Sequence, residues 1–456
     1  MPDPLAVDEA TMRRVAHEVA DLVVDHLLRG DDGPALAVDT PEALLAALGG
    51  PVPTGPGDLD AAVRTLVEVA LATQQHVDHR RFFTRVPGPS SFPGIVGDWL
   101  GTGFQAIAAS WGGGAGPTTV ELVVVDWLRT LLGLPDGTEG VLVSGGSMAN
   151  VNGLLVARQE VGDGVVYLSD QTHSSIARGL GVTGFDQVRT LPTGRELRLT
   201  VDQVDAAVAE DRAAGRHPAI VVATVGTTNT GAVDPLPGLA DLCAEEGLWL
   251  HVDGAYGAPA ALARPVDGLE RVDSLVLDPH KWLFQPYDVG VLLVRRPGAL
   301  ERTFTMNPEY LADIVAGSGG DPGDEVDLRN RSLELTRRGR ALKLWLTFRT
   351  YGSEKLAEAV EAGLHNAEAA QALLEADEGW GVVTPARLGI VTFRRKGWSD
   401  DQHVAAAARI TASGYAAVST TTLAGETVLR LCTINPRTTE TDLAETLRRL
   451  AVPGDS

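Results

Sequence analysis

Lysine is scarce in this chain, and its placement looks chemical. Four of the 38 basic residues are lysines, and the first, Lys281, arrives past the midpoint in Ser274-Leu275-Val276-Leu277-Asp278-Pro279-His280-Lys281-Trp282. Arginine serves equally well as a solvated positive charge, but its guanidinium stays protonated and cannot form a Schiff base. A lysine kept beside His280 at the end of an apolar run therefore points to amine nucleophilicity. Position alone leaves a snorkelling lysine at a strand end equally open. The remaining lysines fall in a helical stretch (Lys343), near a helix start (Lys355) and in a polar turn (Lys396).

Other residues suited to chemistry follow apolar runs in the same way. Gly140-Val141-Leu142-Val143 leads into Ser144-Gly145-Gly146-Ser147-Met148-Ala149-Asn150 and then a helical run. Small residues before a helix start offer backbone N–H groups and a hydroxyl to a phosphate, and they also make an ordinary capped glycine turn. Further strand ends carry His173, in Ser169 to Ser175, and Thr228, in Val225-Gly226-Thr227-Thr228-Asn229. Another carries Asp253, in His251-Val252-Asp253-Gly254-Ala255-Tyr256-Gly257. A buried aspartate needs a cationic or hydrogen-bonding partner. A protonated pyridine nitrogen is one, and holding that proton makes pyridoxal phosphate an electron sink for a carbanion at a substrate Cα. Phosphate cradle, aromatic stacker, pyridinium partner and Schiff-base lysine arrive in chain order, a combination far more specific than any member.

The elements that must position these residues are legible. From about Ser91 to Arg349, short apolar runs alternate with helical stretches, the pattern of βαβ units. Seven strands at 140–143, 164–168, 187–191, 219–224, 248–252, 274–277 and 289–294 are expected to form one mainly parallel sheet flanked by helices. Ligands of such sheets gather at the carboxyl ends of the strands, where the polar residues above lie. Helical spacing at 8–29 and 41–75, broken at Gly30-Asp31-Asp32-Gly33-Pro34 and Gly49-Gly50-Pro51, predicts an N-terminal helical arm. A helix over 353–376, strands at 388–393 and 428–433 and a helix near 401–413 predict a small α+β C-terminal domain. The expected division is 1–90, 91–350 and 351–456. Gly112-Gly113-Gly114-Ala115-Gly116-Pro117 follows no strand and is expected to be a glycine-rich loop rather than a dinucleotide site.

Composition bounds the rest. The net charge of −22 argues against nucleic-acid or anionic-membrane partners. Acidic residues stand where a secretory signal would be basic, so a cytoplasmic protein is expected. Cys243 and Cys432 are too few for a disulfide scaffold or thiolate metal site, and His76-Val77-Asp78-His79 has no recognised liganding spacing, so no metal is expected.

Asp278 to Trp282 and His251 to Gly257 together resemble the group II pyridoxal-phosphate decarboxylases, the group of the aromatic L-amino-acid and glutamate decarboxylases. The resemblance runs from about His76 to Gly352 and more weakly beyond. It implies the fold type I of pyridoxal-phosphate transferases and decarboxylation of an L-amino acid to an amine and CO₂. It further implies that Lys281 forms the Schiff base, Asp253 pairs with the pyridine nitrogen and His173 stacks on the ring. Gly146, Ser147 and His280 would hold the phosphate, and Thr228 and Ala255 would line the cofactor. The family often has Asn where this chain has Asp278, and a carboxylate repels a phosphate dianion, so Asp278 is expected to make no direct phosphate contact. Met306-Asn307-Pro308-Glu309-Tyr310-Leu311 is similar to the family's catalytic loop, whose tyrosine protonates the substrate carbon in the neighbouring subunit's site. That makes Tyr310 the candidate proton donor and implies a homodimer with shared active sites.

Similarity also places Val77, Pro87, Gly88, Ile107, Ala109 and Thr336 around the substrate side chain. Val77, Pro87 and Ile107 give an apolar wall suited to an aromatic substrate. Arg80, Arg81 and Arg85 leave an acidic one open, and diamino or aliphatic substrates remain alternatives. So do an aldehyde synthase and a carbon–carbon lyase. An inactive homologue acting as a binding protein would be expected to lose Lys281 or Asp253, and both are present.

Overall fold

The computed structural model describes residues 3–306 and 325–452. Its centre is a seven-stranded sheet of β1 (Glu139–Val143), β2 (Val165–Ser169), β3 (Val188–Leu191), β4 (Pro218–Thr224), β5 (Trp249–Asp253), β6 (Ser274–Leu277) and β7 (Gly290–Val294). The order is β1-β7-β6-β5-β4-β2-β3, with every neighbour parallel except β7, which runs antiparallel to both β1 and β6. The expected strands fall within a residue or two of these.

Burial explains why the runs are continuously apolar. Every residue of β2, β4, β5, β6 and β7 is buried, because helices cover both faces. Alternate residues feed two cores. Val221 and Ala223 pack with the helices Trp111–Leu131, Val201–Ala213 and Leu236–Glu246, while Ile220 and Val222 pack with Gly146–Val161 and Ser174–Thr183.

Register decides which residues become neighbours at the strand ends. Thr224 pairs with Asp253 and Asp253 with Val276, so β4, β5 and β6 end at the same level. The antiparallel β7 brings Gly290 opposite Val143, directly under the Gly145 turn. A Cβ on Gly290 would lie 2.4 Å from the Gly145 carbonyl carbon, so only glycine lets this turn sit down on the sheet.

Around the sheet, three expectations need correction. Gly112–Pro117 is not a loop but the opening of the helix Trp111–Leu131, kinked at Gly114. Ser110 caps it by accepting from the Gly113 N–H, and Pro117 falls in the first turn after the kink, where a missing N–H costs little. The small domain has four strands rather than two: β8 (Trp380–Arg387), β9 (Ile390–Arg395), β10 (Ser419–Leu423) and β11 (Glu426–Cys432), ordered β10-β11-β9-β8 and wholly antiparallel. The two missed strands carry a proline or a polar threonine run, which weakens the period-two signal. Its long helix begins earlier than expected, spanning Ala341–Ala376 with a kink at Gly352, whose φ is 74°.

The N-terminal arm contains Glu9–Arg29, Pro41–Leu48 and Leu59–Thr65, none of which buries a residue fully. Leu28, Leu45, Leu59, Leu66 and Leu71 are exposed in the single chain.

One ion pair is sealed inside the large domain. Arg337 and Glu121 meet at 2.7 Å with both side chains fully buried; Glu121 also accepts from the Leu142 N–H, and Arg337 donates to the carbonyls of Ala108 and Leu142. This pins β1 to the Arg337 segment. Removing one partner leaves an uncompensated charge, so Glu121→Leu should cost about 3–5 kcal/mol and Glu121→Leu/Arg337→Met markedly less. Urea unfolding of the two variants checks this, and equal losses would contradict it.

Candidate active site

A cavity of about 390 Å³ opens at the carboxyl ends of β4, β5 and β6. Its wall includes Gly146, Ser147, His173, Thr228, Asp253, Ala255, His280 and Lys281, so all the expected cofactor-binding residues converge in one place. Asn150, Ser175, Thr224, Tyr256 and Asp278 also line it, and the sequence motifs alone do not mark these as binding residues.

At one end is the start of the helix Gly146–Val161. Gly145, with φ 156°, precedes it and supplies no side-chain cap. The N–H of Ala149 is the first to find a backbone partner, at Gly145 O, so the preceding N–H groups of the first turn face the cavity without an intrahelical acceptor. The cradle is tight: a Cβ on Gly146 would lie 2.7 Å from Asp278 Oδ2. His280 Nδ1 lies 2.7 Å from Val289 O and 3.3 Å from Val289 N, and burial lowers the pKa of the ring.

Asp253 ends β5. Its Oδ1 accepts from the Ala255 N–H at 3.1 Å and its Oδ2 from the Asn150 side-chain amide at 3.0 Å. Lys281 sits in the short helix Pro279–Trp282, its side chain 24% exposed, with Nζ 3.0 Å from Asp278 Oδ2. Burial alone would push this amine towards neutrality, but Asp278 and then Asp253 outweigh it, and its pKa rises above the ordinary lysine value. The cluster is held from below by Trp282, fully buried and stacked on Tyr256 at 5.3 Å. Tyr256 Oη in turn accepts from the Gly389 N–H at 2.7 Å, which ties the site to the small domain.

The proposed substrate-side residues are less united. Pro87 and Gly88 are buried, and Gly88 lies against the lysine itself: a Cβ there would meet Lys281 O at 2.1 Å. Val77 packs instead with Ala35, Phe82 and Ala417. Ile107 is 42% exposed and Thr336 is exposed; they lie on adjoining segments, since Ala108 N–H donates to Arg337 O. None of the six, Val77, Pro87, Gly88, Ile107, Ala109 or Thr336, lines the cavity within one chain. Tyr310 lies outside the described residues.

The chemistry of the wall fits a phosphorylated aldehyde of a pyridine. An uncapped helix start suits the phosphate, a carboxylate the ring nitrogen and a lysine the aldehyde. Two buried oxygens, Thr224 Oγ1 and Asp278 Oδ1, have no hydrogen-bond partner, leaving polar demand in the same wall. The fold and wall together define an α/β enzyme that anchors a carbonyl cofactor on a lysine.

Comparison with known proteins narrows the class. The model of the pyridoxal-dependent decarboxylase conserved domain matches residues 41–396. The chain is 40% identical to an aromatic-L-amino-acid decarboxylase of Bacillus atrophaeus, covering 99% of this chain and 97% of that one. It is 31% identical to tryptophan decarboxylase 1 of Oryza sativa subsp. japonica, covering 94% and 90%. The crystal structure of the Oryza sativa enzyme TDC with PLP and tryptamine superposes with a TM-score of 0.92 at 29% identity, covering 99% and 98%. The chain belongs to the pyridoxal-dependent decarboxylase family and is a carboxy-lyase that uses pyridoxal phosphate.

The Asp278 carboxylate forms part of the cavity wall and pairs with Lys281. An amine must lose its proton before it attacks an aldehyde. Removing the carboxylate's charge in Asp278→Asn should therefore lower the Lys281 pKa, and the pH of half-maximal cofactor capture by apoprotein should fall by about one unit. Stopped-flow absorbance measures this. An unmoved midpoint would assign the control to Asp253 instead.

Proposed function

We propose that this enzyme decarboxylates an aromatic L-amino acid to its amine. The observation that carries the reading is the pairing of the Lys281, Asp253 and helix-start constellation with full-length similarity to decarboxylases named for aromatic substrates. The apolar character of Val77, Pro87 and Ile107 supports it.

When bound, pyridoxal phosphate supplies an electron sink that accepts the pair left as CO₂ departs. This chain's residues do the rest. The N–H groups at Gly146 and Ser147, with His280, are assigned to hold the phosphate. The Asp253 carboxylate holds a proton on the ring nitrogen, and His173 and Ala255 flank the ring with Thr228. Lys281 would hold the cofactor's aldehyde carbon. Orientation matters most, and it falls to the side chains that line the cavity to hold the substrate in one pose. We assign Tyr310 to return a proton to the substrate carbon.

Two copies are required by this reading. The exposed leucines of the N-terminal arm and the exposure of Ile107 and Thr336 support a homodimer in which a second copy covers the substrate side. On the net charge of −22 we infer an enzyme without nucleic-acid or anionic-membrane partners. No helix among the described residues is long and apolar enough to cross a membrane.

A CO₂-release screen over the L-amino acids tests the substrate. Tryptophan, tyrosine or phenylalanine should give the strongest signal and Lys281→Ala none; a strongest response to glutamate, valine or 2,4-diaminobutyrate would overturn the aromatic assignment. Tyr310→Phe should slow amine formation and divert substrate towards aldehyde in the presence of oxygen. Co-expressing Lys281→Ala with Tyr310→Phe should restore about a quarter of wild-type activity, since half the dimers are mixed and each has one complete site. Absence of any complementation would remove either the shared site or Tyr310 from the mechanism.

A further inference from the structure

Behind the cavity wall, hydrogen bonds run through a line of side chains from Trp249 to His173, and valence fixes their direction. An ionised Asp253 only accepts, so the Asn150 group 3.0 Å from its Oδ2 is the amide N–H; the same nitrogen reaches Ser175 Oγ at 3.1 Å. The Asn150 carbonyl oxygen then faces His251 Nε2 at 3.0 Å, which must carry the ring proton. His251 Nδ1 is left to accept from the Ser274 hydroxyl at 2.7 Å, and Ser274 Oγ accepts from the Trp249 indole N–H at 2.8 Å, a group that only donates. The other tautomer of His251 would set a lone pair against the Asn150 carbonyl. Burial holds His251 neutral, its pKa pushed down to about 4.

The line continues on the far side of Asn150. The Ser175 backbone N–H donates to His173 Nδ1 at 3.2 Å, and the Ser175 hydroxyl lies 2.9 Å from the same nitrogen. With its oxygen accepting from Asn150, that hydroxyl donates to His173, so a neutral His173 carries its proton on Nε2. Trp249, Ser274, His251 and Asn150 are all essentially inaccessible to solvent. An apolar set of equal volume would fill the same space without desolvating an amide, a hydroxyl and an imidazole, so the polar line has an orienting role.

We propose that Asn150 is a positioning residue that couples Asp253 to His173. One N–H of its amide holds the carboxylate, the other turns the Ser175 hydroxyl to donate to His173 Nδ1 alongside the Ser175 backbone N–H, and His251, Ser274 and Trp249 hold the amide from behind. His173 thereby presents an Nε2–H donor from a neutral ring, and Asp253 keeps one carboxylate orientation.

The proposal rests on reading Asp253 and His173 as cofactor-contacting residues, and its test does not depend on which amino acid is the substrate. Holoenzyme labelled with [¹⁵N]histidine is examined by long-range ¹H–¹⁵N correlation, with His173→Gln giving the assignment. Wild-type His173 should be neutral with its proton on Nε2 at pH 7 to 8. Ser175→Ala removes the hydroxyl and keeps the backbone N–H, so it should leave the proton on Nε2 but shift the Nδ1 resonance, because that nitrogen loses one of its two donors. Asn150→Ala should likewise shift the Nδ1 resonance, by freeing the Ser175 hydroxyl to turn away, and also raise the cofactor Kd roughly tenfold, the effect of one hydrogen bond to a charged group. The proposal falls if wild-type His173 carries its proton on Nδ1, or if Ser175→Ala leaves the His173 signal unchanged. It falls equally if Asn150→Ala leaves both readouts at wild-type values. Ser175→Ala keeps the test decisive if Asn150→Ala does not fold. Loss of the aromatic assignment in a substrate screen would leave these histidine signals where they are, so the two readings fail separately.

Discussion

An amine kept charged beside two carboxylates at the end of a buried sheet is the constraint on which this structure turns. Asp278 and Asp253 are buried and the Lys281 side chain is about three-quarters covered, and in such surroundings a misplaced charge is costly. Much of the large domain can be understood as keeping that arrangement in register. Parallel pairing of β4, β5 and β6 brings their carboxyl ends level, so a residue at the end of β5 and one in the turn after β6 become neighbours. The antiparallel β7 then lowers the Gly145 turn onto the same rim. The result combines negative side chains with an uncapped helix start whose dipole favours an anion.

Close backbone approach is the second recurring device. Gly88 against Lys281 and Gly290 against Gly145 leave no room for a Cβ, so the segments behind the cavity wall pack backbone to backbone.

Much of this was legible in the sequence because the sheet is covered on both faces. Seven continuous apolar runs each ending in polar residues are hard to mistake, and the cofactor-side candidates all meet in one cavity. The substrate side was less legible. Val77, Ile107, Ala109 and Thr336 came from likeness alone, and within one chain they lie off the cavity wall. Asn150 belongs to the same motif as Gly146 and Ser147 yet is easily passed over, since an asparagine in the first turn of a helix reads as a local hydrogen-bonding residue. Its partners His251 and Asp253 lie more than a hundred residues on, a proximity that no local pattern encodes. The small domain lost two strands for a related reason: β8 and β10 are only partly buried, so their polar residues hide the alternation.

The hydrogen bond from Gly389 to Tyr256 spans 133 residues, and Tyr256 stacks on the tryptophan next to the reactive lysine. Gly88, nearly two hundred residues before Lys281, closes the other side. In a chain synthesised from one end, Lys281 leaves the ribosome long before Gly389, so the aromatic stack beneath its amine gains that hydrogen bond only once the small domain has been made.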